Sequence, residues 1–183
     1  RGSACRVLAS AGDERLGGLD VDAALRAVVA GAFRKDFGID ADGDRFLAQQ
    51  LSELVERAKI ELSSRESTDI LMPFVRTGGG ASAHPSFTVT RALLESLAGP
   101  FVSRTVELTA AALRDAGARP EEVGALVLSG GSSRMPLVAR MLGDLVPRKP
   151  ESRVNFEEIV AAGAAVASLS PGKVLSISAP AGL

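Results

Sequence analysis

Apolar residues recur along this chain in two periods, and the switches between them divide it into helical and extended segments. Behind Asp20, a residue type that caps helices, Ala24, Leu25, Val28, Val29 and Phe33 repeat at helical spacing as far as about Asp36, and Gly38 supplies a stop. A second helical stripe comprises Leu47, Leu51, Leu54, Val55, Ala58 and Leu62. At about 100° per residue, Glu56, Lys59 and Ser63 fall within an arc of about 60° on the face away from that stripe. Ile60 lies beside this triplet, on the side where a solvated helix carries a polar residue.

Extended segments alternate with these helices. Residues 5–10 read as a strand, and residues 69–75 and 86–89 as two more, joined through Gly78, Gly79 and Gly80 in a hairpin. Thr90 is placed to cap a further helix, interrupted at Gly99-Pro100 and resumed to Ala116 before Gly117 stops it. Pro120-Glu121-Glu122 opens a short helical segment, residues 125–129 form a buried strand, and Pro136 starts a helix that turns Leu137, Val138, Met141, Leu142 and Leu145 inward. Asn155 and Glu158 have capping-box spacing for an Ala-rich helix through Ala167, in which Gly163 suits close helix approach, and residues 174–177 are a final strand. The order is α/β with an insertion-like middle: a base of residues 1–16 and 99–183, and an outer subdomain of residues 17–98.

Composition narrows the function classes. With 183 residues the chain can bury a real core. A net charge of -1 and a pI near 5.9 give no reason to expect nucleic acid or an anionic membrane as partner. The absence of Trp and Tyr removes the usual stacking platforms for single strands. Cys5 is alone, which excludes an internal disulfide, and no apolar run approaches the roughly 18 residues of a membrane span. No secretory signal is evident, so an intracellular setting, cytoplasmic or an organellar matrix, is the expectation.

Some candidate chemistry dissolves on inspection. Asp40-Ala41-Asp42-Gly43-Asp44 starts like a calcium loop, but Leu51 stands where the closing Glu belongs, so a loop and helix cap is the reading. His84 has no second His and no ligand cluster beside it, and the triple glycine is not followed by the Gly-Lys-Ser/Thr of a phosphate loop.

Two features survive. In Leu126-Val127-Leu128-Ser129-Gly130-Gly131-Ser132-Ser133-Arg134-Met135-Pro136, an apolar run breaks into a glycine turn ahead of a helix N-terminus. Glycines let a ligand approach backbone, and the helix start offers free N–H groups and partial positive charge. Such a turn also serves as a mere connection in any α/β protein. The second feature is the helix face of Glu56, Lys59 and Ser63 with Ile60, which suits an adenosine: Ile60 against the base, the polar trio reaching base and ribose. A solvated charged face with one stray Ile is the plainer alternative.

Taken together these segments resemble a known family. Arg15-Leu16-Gly17-Gly18, then Glu56-Arg57-Ala58-Lys59 with Leu62-Ser63-Ser64, then residues 126–136, then Asn155-Phe156-Glu157-Glu158 with Gly163-Ala164-Ala165-Val166 follow the order and approximate spacing of the nucleotide-binding domain of Hsp70 (DnaK) chaperones, over residues 6–168. The resemblance is to the second lobe, and implies half of an actin-like, ribonuclease H-like ATPase fold. It implies that Gly17 and Gly18 form the Gly-Gly turn at the base of the outer subdomain and that Glu56, Lys59 and Ser63 contact adenosine. Ile60 occupies the neighbouring position, commonly Ile in bacterial and organellar members. Gly130, Gly131, Ser132 and Arg134 match the second adenosine motif, with Arg134 flanking the base, and Glu157 falls in a further motif near the nucleotide. Where the family usually has Gly-Gly-Glu-Asp this chain has Gly17-Gly18-Leu19-Asp20, one carboxylate fewer, and where it has Asn-Pro-Asp-Glu this chain has Asn155-Phe156-Glu157-Glu158; both departures mark a divergent member.

The same resemblance implies ATP or ADP as ligand, with magnesium in an intact two-lobed domain. Its phosphate loops and catalytic lysine belong to sequence not found in this chain, so no catalytic residue is assigned to it. The implied partners are the first lobe and the peptide-binding domain of a parent chain, a nucleotide-exchange factor acting on the outer subdomain, and a J-domain co-chaperone. Two alternatives stand beside it: a non-hydrolysing Hsp70-like adaptor, and another actin-like ATPase such as a sugar kinase.

Overall fold

A computed structural model describes residues 6–76, 82–151 and 158–168. Cys5, the glycines 78–80, Asn155, Glu157 and the strand expected at 174–177 lie outside the described residues. The chain forms two compact units, Leu16–Phe101 and Arg1–Arg15 with Val102–Leu183.

The first unit packs two helices on a small antiparallel sheet. Helix α1 (Gly18–Phe37) begins one turn earlier than expected, with Gly17 and not Asp20 at its cap position. Asp20 instead reaches back, its Oδ2 accepting from the Gly17 N–H at 2.8 Å while its own N–H bonds to the Gly17 carbonyl. A carboxylate three residues into a helix can satisfy the entering backbone in this way, so the Gly-Gly pair joins the helix start. Gly38 ends α1 in the left-handed region, at φ 65°, as the sequence predicts.

The aspartate-rich loop then does what its spacing suggested. Arg34 pairs with Asp40 and Arg26 with Asp42, each at 2.6 Å, fastening the loop to α1. Asp44 caps helix α2 (Arg45–Glu61) by accepting from the N–H groups of Phe46 at 2.7 Å and Leu47 at 3.2 Å. Val21, Leu25, Val29 and Phe33 of α1 and Leu51, Val55 and Ala58 of α2 are buried, and Leu62 follows them inward. Each such large side chain removed from water stabilises by about 1.5–3 kcal/mol.

Strands β1 (Ser67–Leu71) and β4 (Ser86–Thr90) pair antiparallel with Ser67 opposite Thr90 and Leu71 opposite Ser86; β2 (Val75–Arg76) and β3 (Ser82–Ala83) continue the hairpin. The strand expected at 69–75 is thus interrupted between Leu71 and Val75, whereas the one expected at 86–89 forms within β4. Phe74 takes a left-handed conformation, φ 61°, and Pro85 brings no N–H to the ladder. His84 serves this bend: its Nδ1 accepts from the Phe74 N–H at 3.3 Å, and the two rings meet edge to face at 4.9 Å.

Thr90 caps helix α3 (Arg91–Asp115) as expected, accepting from the Leu93 N–H at 3.2 Å. The break expected at Gly99-Pro100 does not occur: α3 runs through Pro100. Burial of Leu94, Ala98 and Val102 along one stripe outweighs the lost hydrogen bond there.

The second unit holds residues 102–115 of α3, a 3-10 turn at Pro120–Glu122, another at Gly131–Arg134, and helices α4 (Pro136–Leu145) and α5 (Ile159–Ser168). Leu128, Met135, Leu137, Leu142 and Val146 are buried with Val102. Of the strands expected in this unit, the two that fall on described residues do not form. Residues 6–10 have no ladder partner among the described residues, and residues 125–129 make only a single parallel bridge, Leu126 with Pro150. A strand exists only where a neighbour accepts its hydrogen bonds, and a proline neighbour offers no donor. Among the described residues Gly163 likewise meets no close approach, since a Cβ there finds no atom within 4 Å.

Candidate nucleotide site

The helix face predicted from spacing is present, with one adjustment. Glu56, Lys59 and Ile60 stand on α2, whereas Ser63 lies one residue past its C-cap Leu62, in a turn closed by the Ser63 N–H to the Ile60 carbonyl at 3.1 Å. Leu62 keeps helical dihedrals, φ -68° and ψ -9°, so the turn prolongs the path of the helix. Arg91 anchors that end by donating from Nε to the Leu62 carbonyl at 2.8 Å. Ile60 is 55% exposed, an apolar surface between hydrogen-bonding side chains, and Ser63 is half-buried.

Lys59 is not a freely solvated charge. Its Nζ donates to Asp22 Oδ2 at 2.6 Å and to the Gly18 carbonyl at 3.3 Å, and the two side chains are only 13% and 15% exposed. The Gly17-Gly18 start of α1 and α2 are therefore joined through one ammonium. Asp22 also shares a cleft of about 270 Å³ with Leu19, Arg26, Glu53 and Glu56. Asp22 is the residue the sequence reading missed. It stands at i, i+3, i+7 with Leu25 and Val29, and a carboxylate on a core stripe asks for a cationic partner.

In the second unit, Gly130 and Gly131 enter the 3-10 turn that contains Ser132 and Arg134. Gly130 has φ 87° and ψ 159°, a region essentially reserved for glycine. A Cβ on Gly131 meets no atom within 4 Å, so its backbone is open to approach. The turn is held by the Ser133 N–H to the Gly130 carbonyl at 3.1 Å and the Met135 N–H to the Ser132 carbonyl, also at 3.1 Å. Helix α4 then begins with Pro136 in its first turn, as expected. Glu157 lies outside the described residues.

Among the described residues no three His, Cys, Asp or Glu side chains gather to hold a metal ion, so they form no magnesium cage of their own. No helix among them is long and apolar enough to cross a membrane.

A glycine turn ahead of a helix, and a helix face that sets an apolar residue among hydrogen-bonding ones, are features of mixed α/β proteins that take nucleotides. A family model described as Hsp70 protein matches residues 1–177 of the 183, and the chain belongs to the Hsp70 family. That family has the actin-like ATPase fold and binds ATP or ADP with magnesium; the mixed helices and small sheets of this chain are consistent with it.

Proposed function

We propose that this chain is the second lobe of an Hsp70-type nucleotide-binding domain and that it holds the adenosine part of ATP or ADP. The observation that carries the reading is Ile60, exposed on α2 with Glu56, Lys59 and Ser63 around it. A purine packs on such a surface while its ribose hydroxyls bond to the flanking polar groups. Gly130 and Gly131 supply open backbone with Ser132, and Arg134 a planar cation suited to stacking on a base.

In this reading the chain's work is positioning, and hydrolysis requires groups from a first lobe to orient water and neutralise phosphate charge. Residues 17–98 form an outer subdomain offering the exchange-factor surface; the remainder is the base, and a J-domain protein and a peptide-binding domain act on the whole domain. ADP binding to the 183-residue chain tests the reading. We expect a Kd on the order of millimolar, weakened about fivefold by Ser63→Ala, with no magnesium-dependent turnover of ATP. A purified chain that hydrolyses ATP steadily would refute the assignment of the phosphate chemistry elsewhere.

A further inference from the structure

The Lys59–Asp22 pair has an asymmetry that its role as an internal salt bridge leaves unexplained. Asp22 Oδ2 holds the ammonium, yet Asp22 Oδ1 is buried with no hydrogen-bond partner. An orphaned carboxylate oxygen is costly, and a pair kept only for stability is commonly improved by apolar replacement. Among the described residues Asp22 is the only acidic group within ion-pair distance of Lys59.

An ammonium has three N–H donors. Two are taken here, by Asp22 and by the Gly18 carbonyl, and both acceptors belong to the first turns of α1. Among the described residues the third has no acceptor. A lysine of this length loses substantial rotamer freedom when fixed, and here that loss has been met before any ligand arrives.

We propose that Asp22 is a positioning residue for adenosine recognition: together with the Gly18 carbonyl it fixes the Lys59 ammonium with one N–H available to a ligand hydroxyl or base nitrogen. The inference rests on the adenosine reading above and assigns Asp22 no contact with the ligand. It makes the lysine's affinity contribution conditional on an acidic residue of a different helix.

The test is adenosine titration of the 183-residue chain by NMR, in the wild type, Asp22→Asn, Lys59→Met and the double variant. A held, half-buried ammonium gives a resolvable ¹H–¹⁵Nζ signal. We expect that signal in the wild type and its loss in Asp22→Asn, where the Kd for adenosine rises about fivefold. In the Lys59→Met background, adding Asp22→Asn changes the Kd by less than about twofold, because Asp22 acts only through Lys59. If Asp22→Asn loses the dispersed methyl resonances of the α1–α2 core, Asp22→Glu serves instead, since it keeps the charge and displaces it by one methylene; the same rise in Kd is expected. Unchanged or tighter binding in a folded Asp22 variant that has lost the ammonium signal overturns the inference alone, as does an equal effect in the Lys59→Met background. A wild type in which adenosine moves no resonance of Glu56, Lys59 or Ser63 overturns this inference and the adenosine reading together.

Discussion

Gly130 and Gly131 are neighbours with different reasons to be glycine. At Gly130 the backbone itself requires it, so Gly130→Ala is expected to cost about 1–3 kcal/mol of stability. Gly131 has ordinary backbone angles and open space, so Gly131→Val leaves thermal stability within about 0.5 kcal/mol while obstructing a ligand that approaches the turn. Paired melting curves and ADP titrations of the two variants separate the effects; equal melting losses would contradict this division. The sequence made both glycines visible but could not tell them apart, because positive φ is a property of the folded turn. Asp22 escaped notice for a related reason: its significance appears only when α2 brings Lys59 against it.

Also at this scale, the Arg34 guanidinium, hydrogen-bonded to Asp40, holds that carboxyl below its ordinary range, and Arg34 is raised in turn. The folded-state value is the lower one, so the pair stabilises the fold above the unfolded-state titration of Asp40, and the contribution is lost as pH falls through the folded-state value. Carboxyl ¹³C titration should give Asp40 a midpoint below that of a free aspartate, rising in Arg34→Gln. An unmoved midpoint in that variant would contradict the assignment of the cause.

Among elements, local capping chemistry was legible wherever a side chain meets its own helix. Asp44, Thr90, Gly38 and Pro136 all act as their types predict. Elements that depend on distant partners were not. Residues 6–10 and 125–129 have strand composition but no ladder, and Pro100 has breaker chemistry inside an intact helix. In α3, residues on both sides of Pro100 are buried, so the helix persists without one backbone donor. Replacing that residue restores an N–H opposite the Ser96 carbonyl. Pro100→Ala is therefore expected to raise stability, by up to about 3 kcal/mol, and to slow amide exchange in the flanking turns. A loss of stability on the same change would mean that the proline is accommodated by a local geometry that alanine cannot adopt.

For the molecule as a whole, family membership rests on the match across residues 1–177, while the proposed adenosine function rests on a few residues of two compact units. Glu56, Lys59, Ile60 and Ser63 belong to Leu16–Phe101; Gly130, Gly131, Ser132 and Arg134 belong to the other unit. Adenosine titration, followed separately in each unit, is the most direct probe of the account. Backbone chemical-shift mapping with adenosine serves, because it detects complexes of millimolar Kd, about 4 kcal/mol of binding free energy. We predict saturable shifts from Glu56 on α2 through the turn at Ser63 and, in the other unit, in the turn containing Gly130 and Gly131, each followed by itself. Silence in both segments, with shifts confined to the hairpin around Phe74 and His84, would contradict it and return the helix face and the glycine turn to ordinary structural roles.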